Sequence, residues 1–315
     1  MLNKLLSALN LRFLIFLLVL LAALSTLVSS FYSTYQVQKE QLMSNTLKSN
    51  FAYANKLASA TNNFLESAMQ QLAYSAKKIE QNIDDNTLLQ AEVTRLNRQT
   101  NSFNSVIINK YGIISATSPE LPLIIDQPLS SPGATQAFKE RRPLISDSYM
   151  SKSGNLIVFI SHPLFSSKGD YLWYIGGSLY LKERSILNDL LEHHYFEGGT
   201  HIYVVDTKKR ILYHPDSARI GTFLANNKVI NQVLMGNDGI AHINNSQNIH
   251  MLAGYAPVKL ANWGIIAQRP IKVTLSSLDT LIIAVIKRTL PIVIIIFILI
   301  GLFAHFISKP LKRLA

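Results

Sequence analysis

The sequence predicts an α+β protein in which one long N-terminal helix precedes two tandem α/β lobes with antiparallel sheets, with an apolar helix at each end. Three observations predict it. Charge-free apolar runs occupy 13–31 and 289–307. A stripe of apolar residues at steps of four and three extends from Leu47 to Ile83, with no Gly or Pro between Met1 and Ala91. After Thr100 a pattern of strand, polar turn and strand occurs twice.

The runs FLIFLLVLLAALSTLVSSF and TLPIVIIIFILIGLFAHFI approach the roughly 20 residues needed to cross a bilayer. The first run alone also fits a cleaved signal peptide, with a basic start and small residues around Val28, Ser29 and Ser30. The second run decides for two spans, and Pro291 then falls in the first turn of its helix, where it is tolerated. Lys4 and Arg12 before the first span, with Lys309, Lys312 and Arg313 after the second, place both termini in the cytoplasm. Lys287 and Arg288 pull the other way, but they border a stretch long enough to be translocated regardless of local charge. The expected location is a bacterial inner membrane, with 33–286 extracytoplasmic. Mean hydropathy of +0.19 over 315 residues agrees with part of the chain lying in lipid. The net charge is +11, of which 1–32 and 287–315 carry +7, leaving +4 in between. No basic stripe there can neutralise a run of phosphates, which excludes nucleic acid as a partner. The absence of cysteine removes disulfides, thiolate metal sites and cysteine nucleophiles, and suits an oxidising compartment.

The stripe Leu47, Phe51, Ala54, Ala58, Thr61, Leu65, Ala68, Leu72, Ala76, Ile79 and Ile83 marks one face of a helix continuing from the first span. Asp84, Asp85 and Asn86 break it and cap a second helix marked by Leu89, Val93 and Leu96. Then Val106–Ile108, a polar turn at Asn109 and the strand at Ile113-Ile114 match Tyr203–Val205, a turn at Asp206 and Ile211-Leu212, an offset of 97 between Asn109 and Asp206. Pro163 before 171–181 and Pro257 before 263–268 repeat at an offset of 94. Two copies of one module explain both offsets. Between them 182–194 reads as a connector helix stopped by Gly198-Gly199. In the second copy 228–235 reads as a short helix ended by Gly236, and 247–258 pairs with 262–268. The divisions are a cytoplasmic start (1–12), a span (13–32), stalk and second helix (33–102), first lobe (103–192), second lobe (193–286), a span (287–308) and a cytoplasmic linker (309–315).

Several stretches are more specific: RPLISDSY at 142–149, FISHP at 159–163, GGSLYL at 176–181, YHPD at 213–216 with Arg219-Ile220-Gly221, and MLAGYAPV at 251–258 before Trp263-Gly264. With the stalk helix and two lobes, they resemble the double Cache sensor regions of membrane-bound signalling proteins, closest to those preceding diguanylate cyclase domains. The resemblance covers about 33–286 and implies PAS-like lobes, the first membrane-distal and the second membrane-proximal. It also implies a homodimer and a small-molecule ligand in the distal lobe. The tail from Ile307 resembles a receptor's membrane exit, where a HAMP unit or coiled coil begins. No GG(D/E)EF signature, phosphate loop or signalling helix is present, so these residues form no enzyme; either an output domain has been lost by truncation, the favoured expectation, or the signal passes to another chain. A chemoreceptor or sensor kinase is the second reading, and a membrane-anchored extracytoplasmic enzyme the reading from another class.

The candidate ligand-binding set is Arg142, Asp147, Tyr149, Ser161, Trp173 and Ser178. Asp147 and Tyr149 are two apart and so share a face if they lie in one strand. An Asp takes an amine, an Arg a carboxylate, and a Tyr a hydroxyl or cation–π contact. Against the family's amino-acid motif, the Arg-x-Trp-Tyr element is missing before Arg142, Ser178 stands where an Asp holds the ligand amine, and Tyr149 is retained, which argues against an ordinary α-amino acid. Asp147 as a turn cap, Tyr149 as core and Trp173 and Trp263 as core anchors are the competing assignments. His162, His193, His194, His214, His242 and His250 show no metal-ligand spacing, so neither metal nor cofactor is expected. His214 reads as a turn residue with its ring beside Tyr213. Gly176-Gly177-Ser178 lacks the second glycine of a nucleophile elbow.

Overall fold

The computed structural model describes residues 11–99, 102–183, 186–192, 201–225 and 227–311. The expected break at Gly198-Gly199 and the chain's last four residues lie outside these. The chain divides into two units, 1–45 with 271–315, and 46–270. Helix α1 (Leu11–Glu80) starts in the former, and α6 (Ile271–Leu311) belongs to it wholly. Both contain a stretch apolar enough to cross a membrane, of mean hydropathy 1.8 and 2.5, with exposed side chains. Helix α6 begins well before the apolar run, so Pro291 lies inside it and not in its first turn.

In the second unit α1 buries the expected stripe, with Leu65, Ala68, Leu72 and Ile79 fully enclosed and Phe51 half-buried, but the helix ends at Glu80, so Ile83, also half-buried, falls in the turn after it. Asp85 caps α2 (Asn86–Thr94) by accepting from the Thr87 and Leu88 amides. Glu92 fastens α2 to α1: the buried carboxylate accepts from Ser75 Oγ at 2.7 Å, Lys78 Nζ at 2.6 Å and Arg95 Nε at 2.9 Å. Burial alone raises its pKa, and these three donors together reverse that and hold it below the usual carboxylate value.

Two separate sheets follow, as the repeat requires. The first contains β1 (Ser105–Lys110), β2 (Ile113–Ser118), β3 (Leu144–Ile145), β4 (Tyr149–Met150), β5 (Leu156–Phe165) and β6 (Tyr171–Tyr180). Its order is β2-β1-β6-β5-β3, with β4 also on β5, and every pairing is antiparallel. The second contains β7 (His201–Val205), β8 (Ile211–Tyr213), β9 (Gly239–Asn244), β10 (His250–Val258) and β11 (Trp263–Pro270), in the order β8-β7-β11-β10-β9. Strand β9 was not foreseen, because this edge strand alternates half-buried and exposed residues around only two isoleucines. Helix α4 (Ile186–Glu192) stands between the sheets in sequence.

One face of each sheet meets α1 in a single core that includes Val106, Ile160 and Leu179 of the first sheet and Val204, Val258 and Ile265 of the second. The approach is closest at Gly254, where an added Cβ would lie 2.1 Å from the Phe51 amide nitrogen, and where Asn50 Nδ2 donates to Leu252 O at 2.8 Å. The opposite faces are covered by α3 (Pro132–Glu140) and α5 (Lys228–Leu234), over two smaller cores.

Register corrects the repeat by one residue. Asn109 opposes Tyr174, which opposes Pro163, whereas the strand residue opposing Gly264, and through it Pro257, is Val205. Asn109 therefore corresponds to Val205, not to Asp206. The sequence match follows the polar turn, which is one residue longer in the second lobe: Asn109 pairs with Ile114 and Val205 with Ile211, and both pairings pass the same bulge, at Ser115 in β2 and Leu212 in β8.

Candidate functional site

Under α3, Ser131 caps the helix by accepting from the Ala134 amide at 3.4 Å, and its Oγ lies 3.2 Å from the Tyr149 hydroxyl. Gly133 lets this ring in: a Cβ there would stand 2.7 Å from the Tyr149 oxygen and 2.9 Å from Phe159. Phe159 and Tyr174 meet edge to face at 6.0 Å. Burial raises the Tyr149 phenol's pKa, partly offset by Ser131 and the Gly133 backbone, so it stays a neutral hydroxyl. Burial also raises Tyr174, reinforced by Tyr171 and Tyr149 and opposed by the Asn109 amide. Two buried polar atoms on this face, Ser161 Oγ and Asn109 Oδ1, have no hydrogen-bond partner. By strand alternation Ser178 shares the face. Water or a polar ligand ordinarily completes such groups.

The structure thus brings Tyr149, Ser161 and Ser178 together. Trp173 is half-buried, stacked on Phe138 at 5.0 Å and Tyr171 at 5.7 Å, with Arg141 4.9 Å above the Tyr171 ring. Arg142 is outside the face, exposed and paired with Glu140 at 2.5 Å. Asp147 does not share a strand face with Tyr149, because the chain leaves β3 after Ile145 and rejoins the sheet at Tyr149. In between it reaches the other lobe. Thr207 Oγ1 donates to Asp147 Oδ1 at 2.5 Å, Lys208 Nζ stands 3.3 Å from Oδ2, and Ser148 Oγ donates to the fully buried Asp206 at 2.7 Å. Asp206 also accepts from the Lys208 and Arg210 amides at 2.9 Å, fixing the β7–β8 turn.

Sequence reasoning missed a second polar concavity, on the α5 side of the second sheet. A cavity of about 220 Å³ is lined by residues that include Tyr203, Ile211, His214, Arg219, Ser246 and Gln268. The His214 ring faces His201 at 5.4 Å and Tyr203 at 6.5 Å and not Tyr213, which strand alternation sends to the α1 side. Burial, then the charge of Arg219 and contact with His201, push the His214 pKa down to about 4, against a smaller opposing pull from Asp216. The signal available in the sequence was His214 with Arg219 five residues on, noted only as a family-like stretch. No cluster of metal-ligating side chains occurs among the described residues.

A helix-backed pair of antiparallel sheets, each with its other face covered by a small helix, is the architecture of a tandem sensor region. The chain belongs to the Cache domain family, whose double-lobed form matches residues 34–278. Solved structures agree in fold. The ligand-binding domain of the Pseudomonas fluorescens chemoreceptor CtaA, in complex with L-isoleucine, aligns with a TM-score of 0.59 and 16% identity over 78% of this chain and 99% of that one. The ligand-binding domain of the Pseudomonas aeruginosa amino acid chemoreceptor PctC, in complex with GABA, gives a TM-score of 0.56 and 18% identity over 71% of this chain and 99% of that domain. An extracellular ligand-binding receptor from Desulfohalobium retbaense gives a TM-score of 0.56 and 13% identity over 69% of this chain, which spans only 39% of that receptor. No curated protein sequence matches.

Proposed function

We propose that the chain is the extracytoplasmic input region of a transmembrane signalling protein of a bacterial inner membrane, working as a homodimer, with a small polar metabolite bound under α3 in the first lobe. The observation that carries the reading is the pair of buried, unpartnered atoms Ser161 Oγ and Asn109 Oδ1 on the face that also holds Tyr149 and Ser178. A ligand there adjoins the β3–β4 segment, whose next residues, Asp147 and Ser148, grip the second lobe. Ligand-dependent movement of that segment changes how both lobes pack on α1, and α1 carries the change into its apolar stretch. Differential affinity for two packings is sufficient; no catalysis by these residues is involved.

The sequence stretches at 142–149 and 251–258 support a diguanylate cyclase as the output, and likeness to CtaA and PctC supports a chemoreceptor as the second reading. Cyclic di-GMP measured in cells producing the whole gene product separates them. For the site, the chain in lipid nanodiscs is screened by thermal shift against amino acids, amines and hydroxy acids. The expected result is stabilisation that Ser161→Ala and Tyr149→Phe each reduce. Stabilisation untouched by both variants removes the site from the first lobe.

A further inference from the structure

We infer that the second lobe holds its own small-molecule site, the cavity on the α5 side of its sheet, and that this site takes a small organic monoanion carrying one hydrogen-bond donor. The argument is independent of the first-lobe reading and begins with two buried groups whose bonding is incomplete.

The first is His214. The Asp216 amide N–H points at Nδ1 at 2.9 Å, and Arg219 Nη1 points at Nε2 at 3.1 Å. Both neighbours are donors that cannot accept, and a neutral imidazole has only one acceptor nitrogen. Whichever nitrogen carries the ring proton, that N–H faces another N–H. With Asp216 bonded to Nδ1, two donors converge on the cavity from Nε2 and Arg219. An oxyanion accepts from both and removes the conflict. The second group is Gln268, buried, whose Nε2 meets His201 Nε2 at 2.5 Å and whose Oε1 has no partner. Gln268 lines the same cavity, and a turn of its side chain brings this acceptor to a donor on the ligand.

The remaining lining fixes the class. Arg219 has one further tie, a 3.3 Å bond from Nη2 to Ser246 Oγ, so the guanidinium can turn to an anion at little cost. Among the described residues no carboxylate lines the cavity, so the ammonium of a zwitterion would meet only neutral oxygens, those of Gln268, Asn227, Asn244, Asn245 and Ser246, beside the Arg219 charge. Ile211, Leu224 and Ile243 supply an apolar wall for a short hydrocarbon stem. About 220 Å³ holds roughly seven waters, which suits a short-chain acid and not a large metabolite. Strand register makes Gln268 the counterpart of Ser178: each stands one residue pair beyond the row that holds Gly176 in the first lobe and Ile266 in the second. The two sites therefore occupy matching faces of the repeat with different polar chemistry.

The test uses the whole chain in lipid nanodiscs, with glycolate, glycine and methyl glycolate each titrated by calorimetry to about 10 mM, a range set by the weak affinities of minimal probes. Glycolate is expected to bind, and the zwitterion and the uncharged ester to bind at least about tenfold more weakly. Arg219→Ala and the cavity-filling Leu224→Trp should each abolish glycolate binding, while Ser161→Ala in the first lobe leaves it unchanged. No heat with glycolate, equal binding of the ester, or binding that survives both Arg219→Ala and Leu224→Trp overturns the proposal. If Arg219→Ala does not fold, Leu224→Trp alone decides. Loss of glycolate binding in Ser161→Ala would instead put the anion in the first lobe.

Discussion

In the first lobe the strand row through Pro163 carries Tyr174 and Asn109, and the matching row of the second lobe, through Pro257, carries Gly264 and Val205. The next row reverses the sizes. Gly176 and Ser161 in the first lobe correspond to Ile266 and Tyr255 in the second. Large side chains are thus exchanged between neighbouring rows of one repeated sheet, which moves the unfilled space from one part of the covered face to another. In the first lobe aromatic rings occupy the face and leave isolated hydroxyl and amide groups among them; in the second Tyr203 and Tyr255 pack toward α5 and leave beside them a cavity with a guanidinium and an imidazole. A fold repeated in tandem need not repeat its site, because pairing geometry constrains the backbone and leaves volume per row free to vary.

The contrast also holds on the α1 side, and there the largest effect is expected. Gly254 corresponds in register to Ile160, which is fully buried in the core shared with α1. The first lobe spaces itself from the helix with a side chain, and the second with none. Copying the first lobe into the second, by Gly254→Ile, drives a side chain into the α1 backbone at Asn50 and Phe51. Neither backbone can yield locally, so a loss well above about 3 kcal/mol, or failure to fold, is expected. Ile160→Ala only opens a cavity and should cost about 2–5 kcal/mol. Thermal melts of the two variants check the order, and equal losses would mean that the close approach at Gly254 is not what sets the spacing.

The helical half of the fold was legible because one long period without Gly or Pro admits a single reading, and burial of Leu65, Leu72 and Ile79 bears it out. The two sheets were legible through Pro163 and Pro257, which mark equivalent positions in β5 and β10. The sites were less so. Asp147 and Tyr149 alternate correctly for a strand, yet Ser146 Oγ accepts from the Phe159 amide and donates to Asp147 O, and this diverts the chain toward the other lobe. Nor could spacing show that Gln268 and His214, 54 residues apart in the chain, line one cavity. Such contacts depend on register and turn geometry, which residue types alone do not fix.

The second effect by size concerns acid. His214 titrates near 6.5 when unfolded and is pushed down to about 4 in the native state, first by burial and then by Arg219 and His201. Between those values the unfolded chain holds more protons, so stability falls as pH is lowered from about 6.5 through about 4 and changes no further below it. The loss is at most about 3 kcal/mol. His214→Gln should flatten that part of the stability curve, and Arg219→Ala should shrink it by letting the pKa rise. Among the described residues the first lobe has no histidine on its covered face, so Tyr149→Phe should leave the slope unchanged. Urea melts at a series of pH values measure each slope. A slope that persists in His214→Gln would assign it elsewhere.

The smallest effect on stability is expected where the two lobes meet, and it bears most directly on whether they act as one device. Asp147 is partly exposed and Lys208 mostly so, and such a pair contributes about 0.5 kcal/mol or less after solvent screening. Asp206 is different: fully buried, it accepts from the hydroxyl and amide of Ser148 and from the Lys208 and Arg210 amides, so Asp206→Ala leaves several of these four donors unsatisfied and should cost about 2 kcal/mol or more. Asp147→Ala is therefore the variant that loosens the junction without unfolding either lobe. If the junction transmits, saturating the second-lobe cavity with glycolate should change the affinity of the first lobe for its own ligand in the parent chain, and by a smaller factor in Asp147→Ala. Linkage requires the same factor when the order of addition is reversed. Equal affinities with and without glycolate in the parent chain would show two independent sensors sharing one helix.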